Sequence, residues 1–199
     1  MRFGILGFPL TLPTFGGSPP SPGTGERTHS AETAAMKLSG SCRCGAVRFT
    51  LNSPTPVPYM RCYCTICRKS AGGGGYAINL GGDADTLEVE GRDAVATWRA
   101  PMEDPDHPGQ THLGPSHRHF CKHCGTALWA EDPAWPELVH PFASAIDTPL
   151  PTPPERVHIM LDFKAPWVEV PTGPDDVHFA RYPEESLEDW HRRHGLLDR

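Results

Sequence analysis

No stretch of this 199-residue chain approaches the roughly 18 consecutive apolar residues that a membrane-crossing helix needs. Positive charge is also short: 18 Lys and Arg stand against 24 Asp and Glu, a net charge of −6. That balance makes the chain a poor candidate for non-specific nucleic-acid binding, which needs a positive face. Aromatic residues make up 9% and hydrophobic residues 38%, enough for a modest core. Long uninterrupted helices are excluded by 20 Gly and 23 Pro, which break helix interiors. The Gly72–Gly75 run is not followed by Lys and Ser or Thr, so no phosphate-binding loop is read there. No Ser-His-Asp arrangement can be argued.

What the chain does have is cysteine. Its seven cysteines fall in three tight clusters: Cys42 and Cys44; Cys62, Cys64 and Cys67; Cys121 and Cys124. An odd number argues against a closed disulfide set. Cys-x-Cys neighbours also pair badly, because their disulfide needs a strained small ring. Metal ligation is the expectation, and with it a reducing, cytoplasmic setting.

Three regions are expected. Residues 1–35 are rich in Gly, Pro, Ser and Thr, hold no Cys, and read as a disordered leader. Met36 stands directly before the first patterned strand, so the functional chain is expected to start there. Residues 36–170 read as one mainly β domain. Val47, Phe49 and Leu51 alternate with Ala46, Arg48 and Thr50, as in a half-buried strand. Further strands are expected at Tyr76–Leu80, Leu87–Glu90, Val95–Arg99, Arg118–Cys121, Thr126–Ala130, Val157–Phe163 and Trp167–Val170. Pro101–Ser116 and Pro133–Pro154 read as Pro-rich connections. Residues 171–199 form a tail with a short helix over Pro183–Gly195. Leu187 and Trp190 share one face, with Glu188–Arg192 and Asp189–Arg193 paired on the other.

The first and third clusters each place two sulfurs on a tight turn that ends in Gly45 or Gly125. Two such pairs make a four-sulfur tetrahedral site, the usual closed structural zinc site. Cys62, Cys64 and Cys67 are then left without a fourth cysteine. Three thiolates leave a zinc ion one open position, the mark of a catalytic site. Counting alone leaves other partitions open, such as Cys42 and Cys44 with Cys62 and Cys64.

The string Gly40-Ser41-Cys42-Arg43-Cys44-Gly45-Ala46-Val47 resembles the opening motif of the glutathione-dependent formaldehyde-activating enzyme family, which includes centromere protein V. Cys62-x-Cys64-x-x-Cys67-Arg68, followed by Gly72, resembles its second motif. Phe120-Cys121-Lys122-His123-Cys124-Gly125-Thr126 resembles the third. The segment Tyr182–His191 is similar to the C-termini of some members. The resemblance implies a zinc-stabilised β-tent with two Zn²⁺ per chain. A structural ion would take Cys42, Cys44, Cys121 and Cys124, and a catalytic ion Cys62, Cys64 and Cys67. It implies a carbon–sulfur lyase-type activity resembling S-(hydroxymethyl)glutathione synthase, on a small thiol such as glutathione or its aldehyde adduct. The alternative is a non-enzymatic zinc-binding module of the same fold that docks a protein partner.

Other residues are read more plainly. Arg43, Arg68 and Lys69 compensate thiolate charge or attract a substrate carboxylate. Gly72–Gly75 would form a plain wall of the site. His107, His112, His117, His119 and His123 are expected to be exposed or hydrogen-bonded rather than metal ligands, with His123 facing solvent. Tyr63 and Thr65 are expected around the second ion or in its pocket. Trp98, Trp129 and Trp167 are expected in the core or partly buried.

Overall fold

The computed structural model describes residues 35–104 and 106–196. The leader expected over residues 1–35 lies outside them, save Ala35. In chain order the elements are β1 (Met36–Ser41), β2 (Arg48–Ser53), β3 (Tyr59–Cys62), α1 (Thr65–Ser70), β4 (Ala77–Asn79), β5 (Gly82–Asp83) and β6 (Glu88–Glu90). There follow β7 (Val95–Glu103), β8 (Thr111–Cys121), β9 (Ala127–Glu131), β10 (Leu138–Pro141), β11 (Arg156–Ile159), β12 (Asp176–His178) and α2 (Leu187–Arg193). The fold is mainly β with a short C-terminal helix, as the pattern predicts.

Alternation builds the first sheet, in the order β1-β2-β6. β1 and β2 pair antiparallel, setting Leu38 opposite Leu51 and Gly40 opposite Phe49. Only glycine fits at position 40, since a Cβ there would run into the Phe49 ring and the Ala145 carbonyl. The freed space lets Phe49 meet Trp129 edge-on, with ring centroids 5.3 Å apart. Leu38, Val47, Leu51, Leu128 and Val139 close the core around this pair. Each such side chain contributes about 1.5–3 kcal/mol by leaving water.

The second sheet runs β5-β10-β9-β8-β7 and the third β12-β11-β3-β4. In the third, β11 lies parallel to both β3 and β12, with Ile159 beside Cys62. Cys62 and Cys67 belong to a second core with Ala130, Phe142, Val157 and Ile159.

Several connections differ from the sequence reading. Pro101–Ser116 is mostly strand: β7 and β8 form a long hairpin from Val95↔Cys121 to Glu103↔Thr111. The ladder jumps from Arg99↔His117 to Pro101↔Leu113. Gly114–Ser116 therefore bulge, and Pro115 needs no ladder N–H. Pro101 sits on β7, an edge strand that loses no second ladder by lacking its N–H. Pro133–Pro154 contains the short strand β10. Trp167–Val170 forms no strand; Val168 is buried there while Trp167 is 67% exposed. β11 stops at Ile159 because Met160 takes a left-handed backbone, φ 61°.

The C-terminal stretch supplies β12, and α2 follows it. Ser186 caps this helix, its hydroxyl accepting from the Asp189 N–H at 3.0 Å. Glu188 pairs with Arg192 at 2.6 Å as expected. Arg193 does not pair with Asp189; it reaches Glu185 at 2.9 Å and Glu155 at 3.4 Å. Trp190 is buried and donates to Glu155 at 2.9 Å, so it anchors the helix, while Leu187 stays partly exposed.

Candidate metal centres

The seven sulfurs gather into two groups. Cys42 and Cys44 come from the β1–β2 turn, Cys121 from the end of β8 and Cys124 from the β8–β9 turn. Their Sγ atoms all lie within 4.8 Å of one another. Cys42 to Cys44 is 3.5 Å and Cys44 to Cys121 is 3.7 Å. Four sulfurs about 2.3 Å from a zinc ion stand roughly 3.8 Å apart in a tetrahedron. The donor set therefore fits Zn²⁺.

Local backbone makes these turns. Gly45 and Gly125 have φ of 77° and 74°, and a Cβ at either would meet nothing within 4 Å. Left-handed backbone, not crowding, calls for glycine here. The Val47 N–H donates to Cys42 Sγ at 3.2 Å. Thr126 accepts from the Arg43 N–H at 3.1 Å and lies 3.1 Å from Cys124 Sγ, so it ties the two turns together. Hydrogen bonding from Thr126 pulls the Cys124 thiol down to about 5. His123 is exposed, as expected, and none of the five singled-out histidines joins either sulfur group. His119 is hydrogen-bonded to Thr97 at 3.0 Å and stacks on Trp129.

Cys62, Cys64 and Cys67 form the second group, again with sulfurs within 4.8 Å. Cys62 ends β3, and Cys64 caps α1 by accepting from the Cys67 N–H at 3.3 Å. The cap, not helix propensity, starts this six-residue helix, which the sequence reading missed. Neighbouring Cys62 and Cys67 donate to Cys64 and pull its thiol down to about 2. The same contact, then burial, pushes Cys62 up. Among the described residues, no fourth Cys, His, Asp or Glu joins the trio.

All three trio residues line a cavity of about 1130 Å³. Met60, Val157, Ile159 and Phe179 give it apolar walls, and α2 contributes Leu187 and Trp190. Thr65 lines it, but Tyr63 points the other way. Behind the trio, fully buried Tyr63 meets His158 Nδ1 at 2.8 Å, and His158 Nε2 lies 2.9 Å from Asp176. Asp176 accepts from Arg156 at 2.7 and 2.9 Å and from the Gly173 N–H at 2.7 Å. The Arg156 bonds, then that of His158, hold its carboxyl far below the usual range.

The cations named from sequence do not face the trio. Arg68 and Lys69 line a separate shallow depression with Gly72 and Gly73. The glycine run is not a wall of the cavity. Within the run, Gly75 packs so closely on Val168 that no Cβ fits, and it has φ 88°. Of the tryptophans, Trp129 is buried as expected, but Trp98 and Trp167 are 42% and 67% exposed. The cation that does face the trio is Arg118 of β8, its Nη2 3.7 Å from Cys67 Sγ. Strand alternation puts Ser116 and Arg118 on one face, but 51 positions separate Arg118 from Cys67.

A family model described as "Glutathione-dependent formaldehyde-activating enzyme" matches residues 37–162, the span holding all seven cysteines. The chain belongs to the glutathione-dependent formaldehyde-activating enzyme family. A Halomonas elongata protein named "Putative glutathione-dependent formaldehyde-activating enzyme" is 58% identical over 161 residues, 81% of this chain and 98% of that protein. A crystal structure of a Rhodobacter sphaeroides protein aligns at 21% identity and a TM-score of 0.44, covering 57% of this chain and 91% of that one. That likeness is too low to bear on the argument. The three sequence motifs fall within the family match, and both sulfur groups are built from them.

Proposed function

We propose that this family member is an enzyme that adds a small thiol of glutathione type to an aldehyde such as formaldehyde. In the formal classification this is a carbon–sulfur lyase-type activity. The observation that carries the reading is the sulfur trio at the wall of a large cavity, with no fourth protein donor among the described residues. Cys42, Cys44, Cys121 and Cys124 would hold a structural zinc, and Cys62, Cys64 and Cys67 a second one. When bound by the trio, zinc supplies a Lewis acid and keeps a substrate thiol ionised near neutral pH. In the addition, the sulfur–carbon bond forms, the carbonyl π bond breaks, and the thiol proton ends on the new hydroxyl.

The chain's own residues prepare this step. α1 fixes Cys64 and Cys67 three positions apart, and β3 fixes Cys62 beside them. Apolar walls from β3 and β11 restrict water around the sulfurs. The Tyr63–His158–Asp176 chain pins the backbone between Cys62 and Cys64 from behind. The described cysteines form no disulfides, and no described helix is long and apolar enough to cross a membrane. The free thiols, gathered as metal donors, suit a cytoplasmic setting, where thiols stay reduced.

Two-dimensional exchange NMR with ¹³C-formaldehyde and glutathione tests the reading. Adduct exchange faster than the spontaneous rate, and lost in Cys64→Ser, is the expected result. A chain that leaves the spontaneous rate unchanged, binds one zinc and has three alkylatable cysteines supports the protein-docking module instead.

A further inference from the structure

Among the described residues, eight large hydrophobic side chains stand exposed, and five of them line the trio's cavity: Met102, Trp135, Phe163, Tyr182 and Leu187. Exposed apolar surface gathered at one opening marks a binding site. Met60 and Ile159 carry the apolar wall inward to the sulfurs, since Met60 is two residues from Cys62 on β3 and Ile159 lies beside Cys62 on β11. The outer wall is made by Tyr182, Leu187 and Trp190, which lie beyond the residues 37–162 that the family model matches. At about 1130 Å³ the cavity is slightly larger than the roughly 300–1,000 Å³ of most small-molecule sites. Formaldehyde, a single carbon and oxygen, would leave nearly all of it to water.

The charged groups of the lining are engaged within the protein. Glu131 accepts from Trp129 at 2.9 Å, Asp132 from Ser116 at 2.5 Å and Glu155 from Trp190 at 2.9 Å. Glu185 and Glu188 pair with Arg193 and Arg192. Arg118 turns its Nη2 to Cys67. The His140 Nδ1–H donates to the Leu80 carbonyl at 3.2 Å, and burial holds its pKa below the usual histidine value, so this ring is neutral at pH 7. A charged body entering the cavity would shed its water with no free counter-charge to meet it. An alkyl body gains by leaving water.

Resting on the proposed thiol–aldehyde addition, we infer that the cavity takes an aldehyde with an apolar body, an alkyl chain of several carbons, its carbonyl at the trio and its chain along the wall to the rim. The step is the same as for formaldehyde: the sulfur–carbon bond forms, the carbonyl π bond breaks, and the thiol proton ends on the new hydroxyl. Chain length, read by the wall that Tyr182, Leu187 and Trp190 supply, then sets which aldehyde is preferred.

The zinc-loaded full chain is assayed by exchange NMR with glutathione and, one at a time, propanal, butanal, pentanal and hexanal, each rate corrected for the spontaneous addition. A fully buried methylene is worth about fourfold in kcat/KM, so hexanal is expected to exceed propanal by at least about tenfold. Leu187→Glu charges the wall with a residue that a helix's first turn favours, and should cut that ratio at least about threefold. Trp167→Ser, at an exposed tryptophan outside the cavity, should leave the ratio in place. Because the ratio is taken within one protein, a general loss of activity cancels. A wild-type ratio near one, or an equal ratio in wild type and Leu187→Glu, overturns the inference. A flat series together with concentration-dependent dimerisation in sedimentation overturns it too, and assigns the apolar rim to a second copy of the chain. Calorimetric titration with 1-propanol through 1-hexanol, which cannot react, separates this inference from the reaction it rests on. If no aldehyde is turned over faster than spontaneously, yet alcohol affinity climbs with chain length and falls in Leu187→Glu, the proposed reaction fails and the apolar recognition stands.

Discussion

Cys64 does two jobs with one sulfur: it caps α1 and belongs to the trio. Serine is among the preferred helix caps, so Cys64→Ser keeps the cap while removing a soft metal donor. The expected outcome is retained circular dichroism, loss of one zinc by mass spectrometry, and a catalysed rate reduced on the order of a hundredfold or more. Cys124→Ser breaks the closed site instead and should lower the unfolding midpoint far more. Unfolding of Cys64→Ser as severe as that of Cys124→Ser would contradict this division of roles. Gly40 makes a purely steric case. Gly40→Ala should cost about 1–3 kcal/mol in urea denaturation, because the Ala145 backbone cannot yield as a flexible side chain would.

Parallel strands β3, β11 and β12 are joined by a buried polar chain as well as by their ladders. Asp176 ties Arg156, His158 and the Gly173 N–H together, and its folded-state pKa is depressed, first by the Arg156 bonds. A depressed carboxylate contributes stability above its unfolded pKa, near 3.9, and loses it progressively as pH falls below that value. Asp176→Asn is therefore expected to be less stable than wild type at pH 7 by urea unfolding. The gap should hold down to about pH 5 and narrow below about pH 4. A gap independent of pH would show that the Asp176 charge contributes nothing. The β7–β8 hairpin shows why prolines mislead at this scale. Pro101 and Pro115 fall where the ladder is interrupted or one-sided, so neither breaks its strand.

Across the whole molecule, the four-sulfur group brings together the β1–β2 turn and the β8–β9 turn, elements 77 residues apart at Cys44 and Cys121. On the proposed reading, a zinc ion held there would be a chelate of that span and would add folding energy to a domain with a modest core. Treatment with a strong chelator should remove metal and collapse the cooperative thermal transition, with recovery on adding Zn²⁺. Loss of the trio's metal alone, as in Cys64→Ser, should leave the transition nearly in place.

Cysteine spacing in the sequence already separated two pairs from a trio, because sulfurs two or three residues apart can meet without help from the rest of the fold. Period-two alternation around Phe49 likewise gave β2, since burial of one face is a local pattern. Arg118 beside Cys67, Tyr63 against His158, and the hairpin through Pro101 were not legible. Each depends on which strands lie side by side and on where their ladders break. Charge at the trio and the shape of its cavity are therefore set by sheet order and register, which pair residues with no fixed separation along the chain.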